Sequence, residues 1–316
     1  MTTSPRTSIA VYVCTHKRNE PLRRMLTSLS VAAERVQPEV EIAVVVIDDN
    51  PDGRAKEVVE GFGDPSGTGG FARGLHYRHS GAQNISVARN LGLEATIPLG
   101  EWVAMTDDDQ VVVPEWFEAL LDLQERTGAD AITGPVHNRY APDAPAWLTD
   151  QPFHEIMVAP MEADGAVVET CSTGNSMLRS SFLTDHPEIR FRKDLGVVGG
   201  EDMVFYKAAT GAGLDARFST EAVCYTEMPP ERERYRYTLR SCYWLGNSIY
   251  LTNIESGDAG RGRLVLRAGK QALQGLSRPV KRLVGGNPPQ WRYAGAIVAR
   301  SFGILVGVIG IRVAHP

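Results

Sequence analysis

A chain of 316 residues with 43% hydrophobic and 22% charged residues has the composition of a globular protein and excludes a wholly disordered one. The formal net charge of −5 excludes the broad basic surface of a general nucleic-acid binder, so we expect no nucleic-acid partner. The four cysteines are scattered and lack CxxC spacing, which indicates neither a zinc site nor a disulfide framework and favours a cytoplasmic setting.

The first half of the chain alternates short β-rich runs with segments of helical apolar spacing. The β-rich runs are 8–18, 41–53, 74–80 and 101–109, and the helical patterns are 19–36, 84–97 and 114–128. This order predicts an α/β fold in which helices cover both sides of an open, mostly parallel sheet. Ligands bind such sheets outside the carboxyl ends of the strands, where the polar clusters 15–18, 48–49 and 107–109 fall. We therefore expect one site at this edge.

Three consecutive aspartates, Asp107, Asp108 and Asp109, follow the fourth β-rich run. Strand alternation places Asp107 and Asp109 on one side and turns Asp108 towards water or a neighbouring backbone N–H. An Asp-x-Asp pair suits Mg²⁺ or Mn²⁺, because these ions take a few carboxylates together with substrate phosphate oxygens. A solvated acidic turn without a ligand is the alternative.

Two other groups near the predicted edge have a functional and a structural interpretation. Asp48 and Asp49 suit hydrogen bonds from a base or a ribose, or else a turn or a helix cap. Arg89 suits a phosphate, with Asn90 in the same region, or else Arg89 is a surface residue of a helix.

After residue 130 the alternation becomes irregular, with a strand, a Gly-Asn turn and a short helix within 167–183. A glycine-rich loop then opens a helix within 196–213, with Glu201 and Asp202 in its first turn, where acids also favour the helix dipole. No long polar linker divides the chain. We expect a single domain over residues 1–254 and a C-terminal helical appendage over residues 255–316.

The C-terminal segment combines basic and apolar residues. Residues 291–311 are mostly apolar, but Arg300 interrupts them, and a spanning helix needs about 20 apolar residues. Upstream, 261–286 repeats Arg and Lys among Leu and Val, as in helices that lie on anionic membranes. We expect peripheral contact with the inner face of the cell membrane, the alternative being helices packed on the core or on another subunit.

Six motifs occur in the order seen in family 2 glycosyltransferases of the GT-A fold, and the chain resembles that family over about residues 8–250. They are VYVCTHKRNEPLRRMLTSL, VVVIDDNPDG, NISVARNLGLEAT, WVAMTDDDQVVVPEWFEALL, TGNSMLRSSFL and GGEDMVFYKAATGAG. The resemblance implies an inverting transfer from a nucleotide-diphosphate sugar, usually UDP-linked, with Mn²⁺ or Mg²⁺ as cofactor.

The resemblance also implies which residues bind the donor. Asp107 and Asp109 form the metal pair, with Asp109 favoured as the direct ligand and Asp107 nearer the ribose or sugar. The remaining donor-binding candidates are Thr15 and Arg18 beside the nucleotide, Asp48 or Asp49 at uracil or ribose, Arg89 and Asn90 at the nucleotide-sugar, Asp108 in the acidic motif, and Thr173, Gly174 and Asn175 in the sugar pocket.

The pair Glu201 and Asp202 resembles the acidic pair that holds the catalytic base in the family. An inverting transfer needs one carboxylate to take the proton of the acceptor hydroxyl while that hydroxyl attacks the anomeric carbon. We assign Asp202 as the base and Glu201 as the residue that orients the acceptor.

Departures from the family pattern indicate which reaction and which acceptor to expect within the family. The Gln-x-x-Arg-Trp box of processive synthases is missing, because QWRY at 290–293 has the wrong order, and this favours a single addition. Glu227 stands where many relatives have a histidine, and either the metal or an acceptor is open as its contact. This pattern resembles the branch of the family that builds bacterial exopolysaccharide units on lipid carriers. The acceptor is then a lipid-linked or polysaccharide precursor.

Two other functions are compatible with such a fold. A nucleotidyltransferase also uses a nucleotide-binding sheet with acidic metal ligands, but it normally has a glycine-rich phosphate loop after its first strand, and CTHKRNE contains no glycine. A catalytically inactive sugar-nucleotide-binding module is the other alternative, and the intact acidic pairs argue against it.

Overall fold

The computed structural model describes residues 7–62, 70–153 and 161–314, and it contains two compact units. Among the described residues, the first comprises 7–62, 70–138, 161–196 and 205–227, and the second comprises 139–153, 197–204 and 228–314. The second unit therefore includes segments well before residue 255, where the sequence placed the start of a C-terminal appendage.

The strands form two sheets. They are β1 (Thr7–Thr15), β2 (Val40–Asp48), β3 (Leu75–His79), β4 (Trp102–Asp107), β5 (Gln110–Val112), β6 (Ala131–Thr133), β7 (Val136–Arg139), β8 (Asn175–Arg179), β9 (Ala216–Phe218) and β10 (Cys224–Glu227). The larger sheet has the order β3-β2-β1-β4-β8-β6-β9, and the smaller has the order β5-β10-β7. In the larger sheet β8 runs antiparallel to its neighbours β4 and β6, while the other pairs are parallel. The predicted mostly parallel α/β sheet is confirmed.

The helices are α1 (Asn19–Val36), α2 (Ala55–Glu60), α3 (Ile85–Thr96), α4 (Trp116–Thr127), α5 (Trp147–Asp150), α6 (Ser180–Asp185), α7 (Glu201–Gly211), α8 (Tyr235–Glu255), α9 (Arg261–Val284) and α10 (Trp291–Val308). They cover both faces of the larger sheet. Val11 of β1 belongs to the same core cluster as Leu26 of α1 and Phe117 of α4. Its neighbour Tyr12 belongs to the cluster that contains Leu93 of α3. Burial on both faces explains why these strands are continuous apolar runs.

A glycine brings α3 close to β1. A Cβ atom on Gly92 would lie 2.7 Å from Cγ and Cδ2 of the Tyr12 ring, which is closer than carbon atoms pack. One helical turn earlier, Arg89 lies on the same side of α3. The close approach of helix and strand therefore carries Arg89 towards the carboxyl end of β1.

The second unit is built around three long helices. Gly246 of α8 lies against the backbone carbonyl of Arg300, and Gly303 of α10 lies against that of Tyr243, so any side chain at either glycine would overlap the facing backbone. Helix α9 adds Leu264 to a cluster with Ile304 of α10. Within 7–62, 70–153 and 161–314, no helix combines the length and apolarity needed to cross a bilayer.

We expect Gly92→Ala to lower the free energy of unfolding by about 1–3 kcal/mol, because the added methyl group overpacks the contact with Tyr12. Denaturant titration followed by circular dichroism measures this change. Gly211→Ala is the matched control, since Gly211 also lies in a helix but a Cβ atom there would have nothing within 4 Å, and its helix propensity improves. A Gly92→Ala protein as stable as the control would contradict the close packing.

Candidate active site

The ends of four parallel strands lie level at one edge of the larger sheet. Thr15 pairs in register with Asp48, and Asp48 pairs with His79. On the other side of β1, Cys14 pairs with Asp107. The predicted convergence of three polar runs at the carboxyl edge is therefore confirmed.

The side chain of Asp108 points into the protein. Its Oδ2 accepts a hydrogen bond of 2.8 Å from the Thr15 hydroxyl, and its Oδ1 accepts one of 3.0 Å from Nη1 of Arg18. The same Nη1 donates to Oδ2 of Asp109 at 3.0 Å. The prediction that Asp108 faces water or a backbone N–H is wrong, because β4 ends at Asp107 and strand alternation does not continue through the turn that follows.

Burial and charge act against each other in this acidic turn. The pKa of Asp108 is raised to about 7: burial raises it most, the charge of Arg18 lowers it, and the charge of Asp109 raises it. Burial lowers the pKa of Arg18, but the charges of Asp108 and Asp109 outweigh this effect and leave it raised. Arg18 and the Thr15 hydroxyl thus hold the acidic turn, and their predicted contact with a nucleotide stays a prediction.

Asp107 is the most exposed of the three acids. Its side chain is 40% exposed, against 15% for Asp109 and 5% for Asp108. Nη2 of Arg89 lies 3.6 Å from Asp107 Oδ1. Arg89 itself is buried, so it is not a surface helix residue. A basic and an acidic group therefore stand side by side at the strand ends.

The donor set of this turn fits a divalent cation that a substrate completes. Asp107 and Asp109 supply carboxylate oxygens, the ligands that Mg²⁺ and Mn²⁺ prefer. Among the residues that the structure describes, no group of three or more His, Cys, Asp or Glu side chains is arranged to hold a metal ion. The metal itself stays a prediction.

Asp48 and Asp49 are both buried; Asp48 binds backbone N–H groups of the loop that follows it, and Asp49 binds those of the loop between β3 and α3. Oδ2 of Asp48 accepts from the N–H of Ala55, the first residue of α2, and from the Tyr77 hydroxyl. Oδ2 of Asp49 accepts from the N–H of Asn84 at 2.7 Å. The turn and helix-cap interpretation is confirmed, while a contact with uracil or ribose stays a prediction.

Asn90 organises a loop. Its Nδ2 donates to the carbonyl oxygen of Phe191 at 2.8 Å, and its Oδ1 accepts from the N–H of the same residue at 2.9 Å. The guanidinium carbon of Arg89 lies 5.7 Å from the centre of the Phe191 ring. Asn90 thus fixes the ring beside Arg89, and its contact with the nucleotide-sugar stays a prediction.

The segment around Gly174 contributes one residue to the edge and one to the core. A Cβ atom on Gly174 would lie 3.0 Å from Oδ2 of Asp107, so this glycine stands against the exposed carboxylate. Asn175 is fully buried: it donates to the carbonyl oxygens of Pro135 and Ala222, and its Oδ1 accepts from Nε1 of Trp116. Asn175 therefore joins strands and a helix in the core, and the neighbouring Thr173 is also buried.

Gln110 and Glu227 bind the backbone of the acidic turn, and neither is among the donor-binding candidates that the sequence indicated. Oε1 of the buried Gln110 accepts from the backbone N–H of Asp107 at 3.3 Å. The backbone N–H of Glu227 donates to the carbonyl oxygen of Asp109, and its carboxylate pairs with Nε of Arg24 at 2.6 Å. Gln110 directly follows the three acids, which is a usable signal, whereas nothing local marks Arg24.

Glu201 and Asp202 begin α7, as predicted, and they belong to the second unit. Gly199 and Gly200 precede them with φ values of +89° and +88°, a conformation that favours glycine. At Gly199 a Cβ atom would also overlap the ring of Trp244. The two glycines let the chain turn into the helix, while the roles of the two acids stay predictions.

The chain is similar to a family model, to sequences of known proteins and to solved structures. The model of "Glycosyl transferase family 2" matches residues 10–186. Succinoglycan biosynthesis protein ExoM of Rhizobium meliloti (strain 1021) is 34% identical over 224 residues, which cover 71% of this chain and 68% of ExoM. Glucosyl-dolichyl phosphate glucuronosyltransferase of Haloferax volcanii is 31% identical over 148 residues, which cover 46% of this chain and only 41% of that protein.

Among solved structures, S. aureus TarS 1-349 has a TM-score of 0.53 at 15% identity, with 96% of this chain and 92% of that chain covered. TarS 1-349 has also been crystallised in complex with UDP and with UDP-GlcNAc. At this identity the likeness shows a shared fold.

We expect Asn175→Ala to lower the free energy of unfolding by about 3 kcal/mol or more, because each buried group left without its partner costs about 1–3 kcal/mol. Urea titration monitored by tryptophan fluorescence measures it. The control is Asn287→Ala at an exposed position, where a change below about 0.5 kcal/mol is expected. Normal stability combined with lost donor affinity would instead show that Asn175 binds the sugar.

Proposed function

Because the chain belongs to glycosyl transferase family 2 and is a glycosyltransferase, we propose that it adds a single sugar, with inversion, from a UDP-linked donor to a hydroxyl group. The observation that carries this proposal is the carboxyl edge of β2, β1 and β4. There the exposed carboxylate of Asp107 stands 3.6 Å from the buried Arg89. A guanidinium next to carboxylates suits a diphosphate bound together with a cation.

The nucleotide in this proposal is UDP. The location agrees with the rule that open α/β sheets bind ligands outside the carboxyl ends of their strands. TarS, which shares the fold, is described in complex with UDP and UDP-GlcNAc. In this proposal Arg89 attracts the diphosphate, and the loops held by Asp48 and Asp49 lie at the same edge of the sheet.

We assign the divalent cation, Mn²⁺ or Mg²⁺, to Asp107 and Asp109. The ion pair of Asp109 with Arg18 is compatible with this role, since a carboxylate has several acceptor sites on its two oxygens. When bound, the cation would offset the negative charge that develops on the leaving diphosphate.

Asp202 is the proposed general base. Its carboxylate takes the proton of the acceptor hydroxyl while the hydroxyl oxygen forms a bond to the anomeric carbon. The bond from that carbon to the diphosphate oxygen breaks on the opposite face, and UDP leaves with the electron pair. The anomeric centre is therefore inverted, and Glu201, beside the base, orients the acceptor.

The proposed acceptor is a lipid-linked saccharide or a polysaccharide precursor at the cytoplasmic face of the cell membrane. Similarity to a succinoglycan biosynthesis protein over 71% of the chain supports a polysaccharide product. Family membership argues against the nucleotidyltransferase alternative, and the products separate the two reactions. A sugar transferase releases UDP from a UDP-sugar, whereas a nucleotidyltransferase releases pyrophosphate from a nucleoside triphosphate.

We expect Asp109→Asn to reduce the Mn²⁺-dependent release of UDP from the donor by at least about a hundredfold, because a metal ion contributes several kcal/mol to leaving-group stabilisation. A coupled UDP assay with and without chelator measures it, after a thermal-shift panel of nucleotide-sugars has identified the donor. Glu34→Gln, an exposed acid of α1, should keep wild-type activity. Full metal-dependent turnover by Asp109→Asn would refute the assignment of the metal ligand.

Asp202→Asn should lower kcat for transfer by about 10²–10⁴-fold, the usual contribution of a positioned general base. Binding of the UDP-sugar, measured by calorimetry, should stay at the wild-type level. Glu201→Gln should affect KM for the acceptor more than kcat. If Asp202→Asn retains kcat and Glu201→Gln loses it, the two roles are exchanged.

A further inference from the structure

Helix α9 (Arg261–Val284) of the second unit packs on α10 along one narrow face. Leu264, Ala268 and Gly275 are buried on this face. A Cβ atom on Gly275 would lie 3.0 Å from Cγ2 of Ile297 in α10, so the two helices approach closely. The remaining circumference of α9 carries two other faces of different chemistry.

The first of these is an exposed apolar stripe. Leu266 is 76% exposed, Leu273 70% and Leu276 63%. The stripe consists of Val265, Leu266, Leu273, Leu276, Val280, Leu283 and Val284. From Leu266 to Leu283 the intervals are three, four or seven residues, which place these side chains along one side of the helix, and Val265 and Val284 adjoin its two ends. Large exposed apolar stripes are uncommon on proteins that remain in water and mark surfaces that contact something else.

The second is a basic stripe. It consists of Arg263, Arg267, Lys270, Arg278 and Lys281, at intervals that also keep one side of the helix. No Asp or Glu occurs in residues 261–284. Arg278, Lys281, Arg282 and Arg300 also line a cavity of about 600 Å³ whose lining residues include no carboxylate. This part of the second unit therefore presents positive charge beside apolar surface.

An anionic bilayer complements both stripes at once. Its headgroups attract Lys and Arg, and its acyl region receives leucine and valine side chains from a helix lying in the plane of the interface. A second copy of the chain would bring the same positive charge to the contact, and like charges would face one another. In α10, Trp291 and Phe302 are exposed as well, and aromatic residues of this kind are common at membrane interfaces.

We propose that α9 docks this protein on an anionic phospholipid surface, with the apolar stripe inserted among the lipids and the basic stripe at the headgroups. The helix binds parallel to the membrane plane. This contact with lipid does not involve the chemistry of sugar transfer. Binding to vesicles is therefore measured without donor or acceptor.

Flotation of the full-length protein with vesicles tests the proposal. The wild type should float with vesicles of phosphatidylcholine and phosphatidylglycerol, and much less with phosphatidylcholine alone or at high salt. The triple variant Leu266→Ser, Leu273→Ser and Leu276→Ser should lose at least about a hundredfold in partitioning, because each leucine gives up its burial in lipid. Arg263→Gln, Arg267→Gln and Lys270→Gln should each cost about fivefold with anionic vesicles.

The matched control is Val167→Ser, since Val167 is 66% exposed in the first unit and should leave binding unchanged. Circular dichroism melting checks that the variants remain folded, as expected for exposed positions. The proposal fails if the wild type stays in solution with anionic vesicles or if the triple leucine variant floats like the wild type. It also fails if light scattering shows a wild-type dimer that the leucine variant converts to monomer without any vesicle binding, because the stripe would then join two copies.

Discussion

Two of the three adjacent carboxylates at the end of β4 share one guanidinium group, and the carboxyl edge of the sheet depends on this interaction. Arg18 contacts both Asp108 and Asp109 at 3.0 Å. Because Asp108 is buried, its charge would be costly without such a partner. The turn held in this way leaves Asp107 towards solvent, next to Arg89. Neutralisation of two acids inside the chain thus accompanies the exposure of the third, Asp107.

Several polar residues in the motifs support the site without facing it. Asp48 caps α2, Asn90 binds both backbone groups of Phe191, and Asn175 satisfies groups from three separate segments in the core. Buried polar groups require such partners, since leaving one unpaired costs more than its hydrogen bond contributes. These polar residues of the motifs therefore build a rigid scaffold.

The two units divide the proposed tasks. The first holds the strand ends, the acidic turn and Arg89, which are the groups assigned to the nucleotide diphosphate. The second holds Glu201 and Asp202 at a helix start made possible by two glycines with positive φ, and it also carries the apolar and basic stripes of α9. Acceptor chemistry and attachment to a lipid surface are thus assigned to the same unit, which suits an acceptor that is itself anchored in a membrane.

The amino-acid sequence by itself determined the alternation of strands and helices, the edge of the sheet where polar residues collect, and the family. These features follow from local patterns: continuous apolar runs for strands buried on both faces, and apolar residues at helical spacing. Only the tertiary structure decided which acid is buried, what Asn90 and Asn175 bind, and that the second unit begins before residue 255. The physical reason is that these outcomes depend on partners distant in the chain. Thr15 and Asp108 are 93 residues apart, and Asn90 and Phe191 are 101 apart, so no local pattern records either contact.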